Sequence, residues 1–212
     1  MEKTMYNLER NNMKPYFVRE KGEVVPLISR LIQAGDTVSA GGSESLFQTG
    51  VIDFLSEGPY YFLNRYEEGL TEQEIRDIYL ASMGADAYFC SSNAVTEAGE
   101  LYNVDGNANR VSAIAYGPRS VIMVVGRNKL VADIDEAVRR VKTVVAPEIC
   151  RRRGRDTFCG QTGRCAAEDM GIGGMAAGCG SPDRTCCTCL VTGRQRVKDR
   201  IKVILVDEEL GI

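Results

Sequence analysis

Residues 91–131, SSNAVTEAGELYNVDGNANRVSAIAYGPRSVIMVVGRNKLV, hold a crowd of polar side chains able to do chemistry. Asn93, Thr96, Glu97, Asn103, Asp105, Asn107, Asn109, Arg110, Asn128 and Lys129 stand in loops between apolar runs that read as buried strands. A core tolerates polar groups there only when they are paired, so their gathering at strand ends points to a site rather than to folding alone. The chain contains no histidine. Ser-His-Asp and Cys-His mechanisms and His-ligated metals are therefore excluded. Proton transfer near neutral pH falls to a carboxylate, Lys, Tyr or Cys with a shifted pKa.

Each candidate has a plainer alternative. Gly41-Gly42-Ser43 joins a strand to a helix start, where backbone N–H groups and the helix dipole favour an anion; a tight turn with an ordinary N-cap would look the same. Asn103, Asp105, Asn107 and Asn109 alternate, which puts them on one face of an extended segment. Asp105-Gly106-Asn107 equally suits a hairpin turn. Four short polar side chains plus Arg110 exceed what one turn needs, so at least two are expected to reach a pocket. Lys129 near a helix start opposes the dipole, which suggests another use, such as a substrate carboxylate or phosphate. An exposed lysine is the alternative.

The elements that must position these residues follow from apolar periodicity. A first helix spans Met1 to about Met13, and Tyr16-Phe17-Val18 is extended. Val24, Ile28, Leu31 and Ile32 have helical spacing over residues 22–34. Thr37 to Ala40 reads as a buried strand, with Ser43 as N-cap of a helix that faces Leu46, Phe47, Phe54 and Leu55 inward. Thr71 and Glu74 form a capping box ahead of Ile75, Ile78, Tyr79 and Met83. Ala87 to Cys90, Val111 to Tyr116 and Ser120 to Val125 look like strands. Leu130, Ile134, Ala137, Val138, Val141 and Val145 mark the clearest helix, and Ile201 to Val206 a late strand. Strands alternating with amphipathic helices predict an α/β fold: three layers, a mostly parallel sheet with helices on both faces, and ligands at the carboxyl ends of strands. One domain over 1–212 is expected, with a Cys-rich irregular C-terminal segment at about 147–196 and the strand 201–206 returning to the sheet.

Composition limits the partners. At 212 residues and 44% hydrophobic, the chain can bury one sizeable core. A net charge of −3 with both signs interspersed argues against nucleic acid as a partner. The longest apolar run, Val121 to Val125, is far short of a membrane span. The charged N-terminus has no apolar h-region, so no signal peptide is expected and the cytoplasm is the expected location. Eight cysteines without such a signal point to metal binding or redox chemistry rather than disulfides. Six of them lie within residues 159–189, while Cys90 and Cys150 read as lone structural thiols. Arg151, Arg152, Arg153 and Arg155 read as a solvated run.

The loop segment resembles the lactate-utilization (LUD) domain family. Relatives carry runs like TExGELxNxDGxGNRVA and GP…VIxVVGxNKIV, which here read Thr96 to Leu101, Asn103 to Val111, Gly117-Pro118 and Val124 to Val131. Ala98 and Ala108 stand where relatives often have Asn and Gly. The likeness runs over roughly residues 15–146 and resumes in the Cys-rich tail. It implies a fold similar to the ribose-phosphate isomerase and CoA-transferase group and a place in L-lactate or organic-acid use. It also implies a small anionic ligand, carboxylate, phosphate or CoA-type. Thr96-Glu97-Ala98-Gly99 is similar to the Ser-Glu-Asn-Gly turn of class I CoA-transferases, which would make Glu97 an acyl-transfer nucleophile. The family's C-x5-C-x2-C-x6-C tail maps its first interval onto Cys159 and Cys165 and its last onto Cys179 and Cys186. Cys187 or Cys189 is a substitute. Four thiolates suit an iron–sulfur cluster or zinc, and the spacing does not choose; an electron route for lactate oxidation inclines the expectation to iron–sulfur. The alternative role is a non-catalytic metal-binding partner of iron–sulfur oxidoreductase subunits.

Overall fold

The apolar run Val121–Val125 lies fully buried in the middle of a six-stranded sheet, flanked by two further strands that pair with it in parallel. A strand covered on both faces needs such a continuous apolar run. The computed structural model describes residues Met1–Ile212. The sheet contains β1 (Lys14–Val18), β2 (Thr37–Ala40), β3 (Tyr61–Leu63), β4 (Ala87–Cys90), β7 (Ser120–Gly126) and β10 (Ile201–Val206). Their order is β1-β10-β7-β4-β2-β3, and every neighbouring pair is parallel.

Alternate side chains of these strands feed two apolar layers. Ile122 and Val124 pack with α2 (Val24–Ile28), α3 (Glu44–Gln48) and α4 (Val51–Glu57), whose Leu27, Leu46 and Leu55 are buried. Val121, Met123 and Val125 point the other way, onto Leu8 of α1 (Glu2–Arg10) and Ile114 of α6 (Asn109–Ala115). These are the three layers that alternation predicts, with helices on both faces. On the rim, α5 (Glu72–Ala81) starts at the capping box of Thr71 and Glu74, each side chain bonded to the other's backbone N–H.

Several local expectations are corrected. Val111 to Ala115 lies in helix α6 rather than in a strand, with Tyr116 just past its end, because one Asp105 carboxylate oxygen accepts the N–H groups of Arg110 and Val111 and so caps a helix start. The helix expected over 22–34 stops at Ile28, and Gly50, at φ +71°, splits the next into α3 and α4. The clearest helix begins at Ile134 and runs as α7 (Ile134–Arg140), one π-turn (Val141–Val145) and α8 (Ala146–Arg152). Pro147 lacks the N–H that would bond back to Thr143, and the wider turn just before it absorbs that loss. Regular structure thus extends into the segment expected to be irregular, which also contains the short α9 (Phe158–Thr162) and α10 (Ala166–Asp169).

A second sheet was not foreseen. It contains β5 (Ala94–Thr96), β6 (Leu101–Asp105), β8 (Leu130–Val131) and β9 (Thr188–Thr192) in the order β8-β5-β6-β9. Strand β6 pairs antiparallel with both β5 and β9, so the Cys-rich segment ends by adding a strand to the polar-loop region. Gly99 closes the β5–β6 turn at φ +78°, where a Cβ would stand 2.6 Å from the Leu8 backbone nitrogen. Gly99→Ala therefore meets both a disfavoured φ and a backbone clash, and should destabilise by at least about 1–3 kcal/mol. Thermal unfolding checks this, and an unchanged Tm would show that α1 does not press on the turn.

Candidate functional site

Parallel strands bring all their carboxyl ends to one edge, so loops distant in sequence meet there. Because β7, β4 and β2 are neighbours, the loops after Gly126, Cys90 and Ala40 converge. They open a cavity of about 580 Å³ whose wall includes Gly42, Ser43, Ser91, Asn93 and Lys129. The β6–α6 connection adds Asp105, Asn107, Asn109 and Arg110. Arg152 and Arg153 at the end of α8 and the Asp183–Cys186 stretch close the side opposite, so the Cys-rich segment folds over the pocket.

Arg110 organises the floor. Its Nη1 donates to the Ser91 carbonyl (3.2 Å) and Asn103 Oδ1 (2.6 Å), and its Nη2 to Asn93 Oδ1 (2.9 Å) and the Val104 carbonyl (2.7 Å). All four acceptors are neutral, so the buried guanidinium is held in place without a carboxylate. Lys129 lies alongside, 4% exposed, with Nζ donating to Ser45 Oγ (3.0 Å) and Ser91 Oγ (3.1 Å). Burial, then the Arg140 and Arg110 guanidinium groups, lower its pKa to about 7, against a weaker opposing pull from Glu44.

Two more arginines stand over Gly42. A Cβ built there would lie 3.8 Å from an Arg65 terminal nitrogen and 3.9 Å from one of Arg153. The Arg65 guanidinium spans the Tyr66 and Tyr79 rings, 5.4 and 4.9 Å from their centroids. Its Nε is buried without a hydrogen-bond partner, as is Ser43 Oγ. The acids nearby are engaged elsewhere: Glu44 pairs with Arg152 and Asp183 with Arg155, while Asp105 caps α6. Arg65 and Tyr66 gave no signal in the sequence, and Tyr79 read only as an inward helix position, because the rim loop and helix that carry them are brought in only by the fold. Arg151, Arg152, Arg153 and Arg155 are exposed, as the basic run suggested, and all but Arg151 also stand at the cavity rim.

The cavity does not gather every residue singled out in the sequence. Glu97 sits outside it, its side chain 51% exposed and paired with Lys3 Nζ at 2.6 Å, which holds its carboxyl below the usual range. A carboxylate in water beside a lysine is neither desolvated nor aimed at the pocket, so the nucleophile role has no geometric support. Thr96 is fully buried and serves its turn, donating to Glu100 and accepting the Glu100 N–H. Asn128 lies outside the main cavity and accepts the Leu210 N–H. Gly41 sits behind the wall, where a Cβ would stand 2.6 Å from the Tyr88 hydroxyl. Asn103 acts through Arg110, with its own Nδ2 unpaired.

The cysteines converge only loosely. Cys159 senses Cys150 and Cys179, and Cys186 senses Cys179 and Cys165. No three Cys, Asp or Glu side chains stand close enough to share a metal ion. A cation already occupies the middle: Arg184 donates to the Cys186 carbonyl (3.0 Å) and sulfur (3.2 Å) and to the Ala176 carbonyl (2.7 Å). Burial pushes the Cys159 thiol up to about 11. As placed, Cys159, Cys165, Cys179 and Cys186 do not fit a cluster or zinc. No helix is long and apolar enough to cross a membrane.

The LUD domain family model matches residues 1–206, so the chain belongs to the LUD domain family. The fold is similar to that of a DUF162 family protein from Deinococcus radiodurans, with a TM-score of 0.52 and 16% identity over 97% of this chain and 94% of that one. No curated protein matches this chain.

The lowered Lys129 pKa fixes a pH dependence. Below about pH 7 the folded state carries a buried charge, and stability rises as pH climbs from there toward the unfolded value of 10.5. Lys129→Met removes that burden at low pH and takes a donor from the Ser45 and Ser91 hydroxyls at every pH. Its stability relative to the parent should therefore fall by a few kcal/mol between pH 6 and pH 10, since each tenfold change in the amine's proton affinity is worth about 1.4 kcal/mol. Urea unfolding across that range measures it; a pH-independent difference would mean that Lys129 keeps its full charge when folded.

Proposed function

We propose that this LUD domain protein binds a small organic acid, or a phosphorylated counterpart, in the cavity at the carboxyl edge of its sheet, in a role related to lactate utilization. One observation supports this above the rest: Arg65 and Arg153 flank Gly42 without a carboxylate partner, and the buried Arg65 Nε and Ser43 Oγ lack hydrogen-bond partners. A buried donor left unpaired costs about 1–3 kcal/mol. The oxygens of a carboxylate or phosphate supply the acceptors these groups lack, and guanidinium groups match their planar fork. Arg110 and Lys129 add positive charge to the floor without presenting an acid. The volume suits a metabolite-sized ligand.

Calorimetry with L-lactate, pyruvate and inorganic phosphate tests the reading. Arg65→Ala and Arg153→Ala should each weaken the anion that binds by tenfold or more, equivalent to about 1.4 kcal/mol. Arg127→Ala, at an exposed residue paired with Asp207, should leave affinity unchanged. Parental affinity in both cavity variants would place the anion elsewhere.

A further inference from the structure

We infer that Lys129 is an amine nucleophile that forms an imine with an anionic carbonyl compound, a 2-oxo acid or a phosphorylated ketone, held in the cavity. This rests on the anion-binding reading above and assigns the class of ligand. Lys129 lines the cavity, yet its Nζ reaches no carboxylate and is bonded only by the Ser45 and Ser91 hydroxyls. Lys142, equally buried at 5%, shows what a purely structural lysine looks like in this fold. Its Nζ holds the Gly174 carbonyl at 2.7 Å and the Glu168 carboxylate at 3.5 Å, tying the Cys-rich segment to the long helix. Nothing comparable anchors Lys129.

The charged groups that face it are Arg140 from α7, Arg110 from α6 and Glu44 from α3, with Cys90 from β4. Two of the three ionised groups are cations, and with burial they leave a substantial fraction of the amine neutral near pH 7. A neutral, desolvated lysine is the form that attacks carbonyls. Its lone pair bonds to the carbonyl carbon while the C=O π pair moves to oxygen, which takes a proton. That hydroxyl then leaves as water, the second nitrogen proton is released, and the C=N bond forms. No oxidant or reductant is consumed. The serine hydroxyls beside Nζ stand where protons must move.

The test uses the full chain near pH 7 with sodium cyanoborohydride and, in separate arms, pyruvate, dihydroxyacetone phosphate or L-lactate, followed by intact mass and peptide mapping. The expected result is one adduct on Lys129, heavier by the carbonyl compound less one oxygen atom. Excess inorganic phosphate should slow it, and L-lactate, which has no carbonyl, should give none. A pyruvate adduct alone identifies a 2-oxo acid, and a phosphate-bearing adduct alone identifies a sugar-phosphate-like ligand; either supports the inference. Mapping the parental chain needs no variant, and Lys129→Met, where it folds, should give no adduct. Labelling confined to exposed lysines such as Lys3, with Lys129 unmodified, overturns the inference. If calorimetry then still shows pyruvate or phosphate bound through Arg65 and Arg153, only the imine is lost; if neither binds, the anion reading falls with it.

Discussion

A guanidinium group buried without a counter-ion holds the two sheets of this protein in register. Arg110 reaches from α6 to the carbonyl after β4, to the β6 side chain Asn103 and to the Val104 carbonyl, so one side chain joins the exit of the large sheet to the middle of the small one. Asn93 completes the junction, accepting from Arg110 while also accepting the Val104 N–H. Replacing a buried charge's hydration with neutral acceptors is tolerable only if every donor direction is met, which fixes the geometry tightly. The run Asn-x-Asp-Gly-x-x-x-Arg therefore serves architecture first. What it leaves in the cavity is an uncompensated positive potential.

The chain ends reinforce the same edge. Strand β10 enters between β1 and β7, so the large sheet is completed only when the last residues have been placed. Beyond it, a Cβ on Gly126 would lie 2.5 Å from the Leu210 nitrogen and one on Gly211 3.2 Å from Lys129 Nζ. The final turn thus presses onto the loop after β7, and glycine is what allows the approach. Leu210 is buried and Ile212 reaches the cavity wall. Lys129 owes its low exposure to this closure as much as to the strand preceding it.

Much of the layout was legible because it depends on local pattern. Unbroken apolar runs such as Val121–Val125 announce a doubly covered strand, and the alternation of strands with amphipathic helices fixes the parallel sheet and hence the edge where ligands bind. Val111–Tyr116 misled because Val-Ser-Ala-Ile-Ala-Tyr is a short, mostly apolar run that suits a buried strand as well as a helix, whereas the deciding interaction is a carboxylate four positions ahead of Asn109. Ala108 sits at φ +61°, a conformation that glycine reaches at less expense. Glu97 looked catalytic from its neighbours in sequence, but the β5–β6 turn points it at α1 and solvent. The Arg65 and Arg153 pair was beyond reach, since 88 residues of chain separate two groups that meet only over Gly42.

Binding and nucleophilicity make opposing demands on Lys129. An anion in the cavity favours the protonated amine: at about 6 Å and an effective dielectric of about 20, a unit charge contributes roughly 3 kcal/mol, or about a hundredfold in proton affinity. A cavity with Lys129 as its sole cation would therefore disarm the amine on binding. Under the proposed binding mode the anion's charge would be met by Arg65 and Arg153, neither of which pairs with a carboxylate, while Arg110 stays fixed beside Lys129 by four neutral acceptors. Guanidinium groups do not lose their protons, so this compensation would not depend on pH. The division of labour follows from residue type: arginines hold the charge, and the one group in the floor able to shed a proton near neutrality remains free to do so.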